Sequence, residues 1–166
     1  MIKISSVISL SFLVLILFVF SFPSICFSEY KIPDPDVWKY FITTIGGDYY
    51  YDKINITKSS NIISVSIYHS VMEGEKKDMI EIVKKGNLEQ SIKYQNLDHV
   101  IELVEIDCMN RIFRMTEWKS YDVNGNILDY DKFYNKIWKS IKPHDIFVKL
   151  YNKVCVTPNK PSKNKK

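Results

Sequence analysis

Apolar and polar residues alternate along most of the chain, and that rhythm predicts strands more often than helices. Ile63, Val65 and Ile67 alternate with Ser64, Ser66 and Tyr68, a period-2 strand with one wet face. Val100, Val104, Ile106 and Cys108 share a second such face, read as the interior side, with Glu102 the exception. A first strand is expected over 37–42, ended by a Gly46-Gly47 turn. The aromatic and β-branched run 48–57 predicts a second strand, bulged near Lys53. A long strand over 111–121 meets Asn124-Gly125, a pair that favours a two-residue type I′ hairpin because both positions accept positive φ. That turn sets Glu117 opposite Lys132 and Thr116 opposite Phe133, with a return strand from about 126 to 134.

Two stretches break the alternation. Between 73 and 98, Met79, Ile80, Ile82 and Val83 sit among Lys and Glu ahead of Gly86, which reads as a short helix with a glycine stop. A charged strand or a long loop is the alternative there. Near the C-terminus, Ile146, Phe147, Leu150, Tyr151 and Val154 recur at i, i+1, i+4, i+5 and i+8, one apolar helical stripe. Pro143 suits its first position, and Asp145 in the first turn complements the helix dipole. Cys155 lies at the edge of the stripe.

With 166 residues, 46% hydrophobic and 25% charged, the composition fits one globular domain. The net charge of +4 is not a nucleic-acid signature. Setting aside Lys3 and the lysines at 160, 163, 165 and 166 leaves 18 bases against 19 acids, and only Arg111 and Arg114 carry guanidinium groups. The basic pI belongs to the end of the chain, where 158–166 reads as a solvated, disordered tail. Attachment of that tail to an acidic surface is the alternative.

At the other end, Met1-Ile2-Lys3-Ile4 precedes the uncharged run 7–22, closed by Pro23, the pattern of a secretory signal peptide. Cleavage after Ser28 is expected, giving a leader over 1–28 and a mature domain over 29–157. An uncleaved anchor and a lipidated Cys26 are the rivals; the run is short for a span, and Ile25 is a poor residue before a lipidated cysteine. A chain so processed keeps Cys108 and Cys155. In an oxidising compartment an even pair reads as one disulfide, with two buried free thiols or a redox-active pair as competing readings. Closing a loop of that length would stabilise the fold by about 4 kcal/mol in the chain-entropy model.

Catalytic motifs are sparse. His69, His99 and His144 show no metal-ligand spacing, no glycine-rich phosphate loop or nucleophile elbow is present, and no cofactor is expected. Asp34/Asp36 and Asp129/Asp131 read as solvated surface rather than acid–base pairs. Asn55-Ile56-Thr57 is a glycosylation sequon by pattern. Tyr49-Tyr50-Tyr51 reads as core and edge packing, since only alternate members can face a core, with a sticky aromatic patch as the alternative. An enzyme would need a site assembled from scattered residues around His99 or His144.

Trp38, the run Gly47-Asp48-Tyr49-Tyr50-Tyr51-Asp52, Ile106-Asp107-Cys108 with Arg111 and Arg114, Tyr121-Asp122-x-Asn124-Gly125, Trp138-x-x-Ile141-x-Pro143 and the closing Val154-Cys155 together resemble the surface-adhesin protein E family of bacteria. The resemblance implies an α+β fold: a single curved antiparallel sheet of about six strands, with a C-terminal helix on its concave face tethered by Cys108–Cys155. It further implies an exported, non-catalytic cell-envelope protein, adhesive to host matrix or serum proteins and able to dimerise. It supplies no binding residues. The alternative role is a periplasmic structural or assembly component that binds another envelope protein.

Overall fold

The computed structural model describes residues 32–134 and 137–156; the expected leader (1–28) and basic tail (158–166) lie outside the described residues. Among the described residues, eight strands form one antiparallel sheet: β1 (Trp38–Thr43), β2 (Asp48–Asp52), β3 (Thr57–Ser59), β4 (Ile62–Ser70), β5 (Leu97–Asp107), β6 (Ile112–Asp122), β7 (Ile127–Lys132) and β8 (Lys139–Ser140). Six run in the order β1-β2-β4-β5-β6-β7. Short β3 joins β4 beside the end of β2, and β8 joins β6. The fold is α+β, as the family resemblance implies.

Register decides what each face carries. Ile63 faces Ile106 and Val65 faces Val104 across β4 and β5, while Ile106 faces Phe113 and Val104 faces Met115 across β5 and β6. These residues therefore point to one side, the covered face. Helix α3 (Ile146–Tyr151), continued by a wide turn over Asn152–Val156, seals one end of it. Leu150 is fully buried against Val65, Ile67, Val104 and Ile106, with Phe41, Tyr51 and Ile141 around them. Burying a leucine side chain is worth ~2 kcal/mol, so the stripe read from sequence is what holds α3 down. The other end is sealed by α1 (Glu73–Gly86), α2 (Leu88–Lys93) and a 3-10 turn (Tyr94–Asn96). There Met79, Ile80 and Val83 pack on Tyr94, Leu97 and Val100.

The disulfide closes the α3 end. Cys108 and Cys155 are bonded, with Cα atoms 5.6 Å apart, and the Tyr151 hydroxyl donates to the Cys108 carbonyl at 3.0 Å. Arg111 lies over the Tyr151 ring, 5.1 Å from its centroid.

Several local expectations are corrected. The run 48–57 is not one strand. The Asp52 carboxylate accepts from the backbone N–H groups of Ile54 and Asn55 and from the Asn55 side chain, which turns the chain out of β2 so that β3 pairs with β4. The Asn124-Gly125 turn is not a type I′ hairpin. Only Gly125 has positive φ (82°), and Gly125 N–H donates to Asp122 O while Asp122 N–H donates to Asn126 O, a three-residue loop. The extra loop residue is absorbed by a bulge between Ser120 and Tyr121, so Glu117 still faces Lys132 and Phe133 N–H still donates to Thr116 O. Gly86 ends α1 without a left-handed cap; Asn87 follows, and its side chain accepts from Gln90 N–H to start α2. Pro143 and Asp145 precede α3 instead of opening it, and Asp145 accepts from Lys142 N–H.

Gly47 is fixed by close approach. With φ at 153° a β-carbon would collide with the Ser70 carbonyl, so the β1–β2 turn can pack on the end of β4 only without one.

Replacing Cys155 with Ser, or reducing the native protein, is expected to lower stability by about 4 kcal/mol, the value for a loop of this length. Thermal melting with and without reductant checks this: the parent should lose stability on reduction, and the variant should not respond.

Candidate functional site

The alternation that fills the covered face sends the intervening side chains to the opposite side. Among the described residues, both helical layers lie on the covered face, so this second face is open. It carries a row of rings that crosses five strands. Tyr40 on β1 meets Tyr50 on β2 edge-on at 5.7 Å, and Tyr50 meets Tyr68 on β4 edge-on at 5.9 Å. Tyr68 stacks on His99 of β5 at 4.5 Å, and His99 on Tyr121 of β6 at 4.8 Å. Trp38 leans on Tyr68 at 5.5 Å. Pairs of this geometry are each worth about 0.5–1.5 kcal/mol beyond area burial.

The rings bury one another, since Tyr50 and Tyr68 are 9% and 6% exposed without a helix above them. Burial, with the charge of Asp98 nearby, pushes the Tyr68 hydroxyl well above its usual range. Its neutral O–H is therefore kept at all ordinary pH. At the two margins, Tyr40 is 50% exposed and Tyr130 on β7 is 48% exposed, with Lys119 over the Tyr130 ring at 5.2 Å. Further along this face Arg114 pairs with Glu105 and lies 4.3 Å from the Trp138 ring centroid. The face thus offers aromatic surface with hydroxyl and charged edges, fixed on strands rather than on loops. Tyrosine-rich surfaces of this kind make contact area at low entropic cost.

A second cluster lies on the covered face, between the two helical layers. His69 stacks on Tyr49 at 4.0 Å, and its Nε2 is 3.0 Å from Glu75 Oε2 on α1. The alignment is not that of a hydrogen bond, and neither atom has another partner. Burial lowers the His69 pKa to about 4, so the ring is neutral near pH 7. A protonated Glu75 can donate to a neutral imidazole nitrogen, and burial together with the charge of Asp78 raises Glu75 in that direction. Glu102, the exception on β5, belongs to this seam; burial and then the charge of Glu75 raise it to about 7. A cavity of about 520 Å³ opens beside it, lined by Thr44, Gly46, Tyr49, Glu75 and Asp78 among others. The seam is a polar joint beneath α1. Among the described residues no three metal-ligating side chains gather.

The histidines are therefore separated. His69 is in the seam, His99 is in the ring row with Nδ1 2.8 Å from Asp98, and His144 is exposed ahead of α3. Asp34 accepts from Asp36 N–H, and Asp129 accepts from the Tyr94 hydroxyl, so these acids are structural or solvated. The sequon asparagine, Asn55, spends its side chain on Asp52. Of the three consecutive tyrosines, Tyr49 and Tyr51 turn to the covered face and Tyr50 joins the row. Sequence reading placed Tyr68 on a wet face but missed the row, whose members lie far apart in the chain. The available signal was an aromatic at the polar phase of several strands.

The model of the family described as surface-adhesin protein E matches residues 38–156. Among solved structures, Haemophilus influenzae protein E is similar in fold, with a TM-score of 0.52 and 12% identity, covering 76% of this chain and 91% of that one. No curated protein matches the chain.

Replacing Glu102 with Gln tests the seam. A carboxyl whose pKa is raised on folding favours the native state at low pH, and that contribution is lost as pH climbs from about 4.5 through about 7. The variant should gain on the parent over that window, by on the order of 2–3 kcal/mol at pH 8. Denaturant unfolding at pH 5 and pH 8 reads the difference.

Proposed function

We propose that this chain, which belongs to the surface-adhesin protein E family, is an exported, non-catalytic module that binds proteins outside the cytoplasm through the open face of its sheet. The aromatic row from Tyr40 to Tyr121 carries the reading. A sheet face with no helix over it among the described residues, paved with mutually buried rings and flanked by half-exposed Tyr40 and Tyr130, suits protein contact. The disulfide and the uncharged run 7–22 support export. Adhesion to extracellular-matrix or serum proteins is the specific role the family suggests.

A second reading rests on the sheet margin. Strand β1 pairs only with β2 among the described strands, so its outer edge can accept an extended segment of another envelope protein, as an assembly component would use it.

Binding of the purified protein to immobilised extracellular-matrix proteins separates these roles. Exchanging both Tyr40 and Tyr130 for Ser should weaken adhesive binding about tenfold or more while costing only about 1–2 kcal/mol of stability, for the Tyr40–Tyr50 ring pair and the Lys119–Tyr130 contact, so that the variant still melts as a folded protein. Full binding by that variant would remove the open face as the contact surface. A single stoichiometric envelope partner in crosslinked cells would favour the edge-strand reading.

A further inference from the structure

The end of the sheet that carries the disulfide combines positive charge with exposed apolar side chains. A groove of about 570 Å³ lies there, with Lys53, Lys58 and Lys153 on its rim and no acidic residue in its lining. Three large apolar side chains project around it: Ile54 is 61% exposed, Val156 59%, and Met109, in contact with Asn61 of the groove, 70%. The nearby carboxylates of Asp52 and Asp107 stay ionised but are held back in their own loops by Asn55 and Asn110, outside the groove lining. Lysines around protruding apolar groups, with no competing acid in the lining, complement a surface that is anionic outside and apolar beneath.

The ends of the chain give the second argument. The segment leading into β1 lies at this same end, where Lys53 Nζ donates to the Pro35 carbonyl at 2.8 Å and Lys53 N–H to Val37 O at 3.0 Å. The described chain also finishes here, at Val156 in the groove wall. In sequence, the uncharged run 7–22 precedes the first point, and Lys160, Lys163, Lys165 and Lys166 follow the second. Both ends of the described chain therefore leave the fold at the disulfide end of the sheet, opposite α1.

We propose that the disulfide end of the fold is a membrane-facing surface that rests on anionic lipid headgroups, with Lys53, Lys58 and Lys153 against the phosphates and Ile54, Met109 and Val156 at the headgroup boundary. This surface is separate from the open face assigned to protein partners, and it leaves that face standing along the membrane normal.

The full chain, reconstituted into nanodiscs of phosphatidylcholine alone or of equal parts phosphatidylcholine and phosphatidylglycerol, tests the proposal by lysine acylation read by mass spectrometry. Acylation of Lys53, Lys58 and Lys153 should fall about fivefold in the anionic discs and recover in high salt, while Lys77 and Lys84 on α1 label alike in both. The double variant Lys58→Glu/Lys153→Glu, which alters only exposed side chains, should abolish the protection of Lys53. Equal labelling in the two disc types would overturn the proposal, as would protection confined to the lysines at 160–166. Protection that follows protein concentration instead of lipid charge would assign the surface to a second copy of the chain and overturn it as well. No protein partner is present, so the outcome is independent of the adhesive reading.

Discussion

The sorting of side chains onto two faces of β4, β5 and β6, reset once by a bulge at Thr116 in β6, is the constraint from which the rest follows. Antiparallel register stacks Val65 on Val104 and Met115 on one side, and Ser66 on Leu103 and Glu117 on the other. A one-residue slip would exchange the two sets, so the faces cannot share duties. The covered face is closed by α3 at one end and by α1 and α2 at the other. A polar stretch of it is the seam where they meet, and that is where Glu102 and His69 are found. The opposite face has no helical cover among the described residues. Its rings protect one another instead, and in doing so they remain presentable to a partner.

The residues that carry the family resemblance mostly build the frame. Asp107 holds the β5–β6 turn by accepting from Met109 and Asn110 N–H, which leaves Arg111 at a positive φ of 53° and over Tyr151. Arg114 joins Glu105 to Trp138. Val154 and Cys155 finish the core at the same end. The motif thus describes how a terminal helix is fastened to a sheet. It does not describe what the protein grips.

Local chemistry was legible, and of the long-range meetings only the Cys108–Cys155 bridge was. The β4 alternation, the α3 stripe and the Glu117–Lys132 pairing follow from residues close in sequence or tied by one turn. The break after Asp52 was hidden because its strand-like residues continue to Thr57, while one carboxylate with three hydrogen bonds overrides their propensity. The turn at Asn124-Gly125 was misassigned for a similar reason: Asp122 binds the backbone N–H groups of Asn124 and Asn126 and lengthens the loop by one residue. The ring row needs five strands in register before it exists. Glu102 looked like an exception to its strand and became informative only once His69 and Glu75 were found beside it.

The division of labour between the two faces is tested most directly by tyrosine footprinting with hydroxyl radicals, in the presence and absence of whichever extracellular protein the chain captures. The account predicts that Tyr40 and Tyr130 react in the free protein and are shielded in the complex, while buried Tyr51 and Tyr94 stay silent in both. A complex that shields α1 and α2 yet leaves Tyr40 and Tyr130 fully reactive would contradict it.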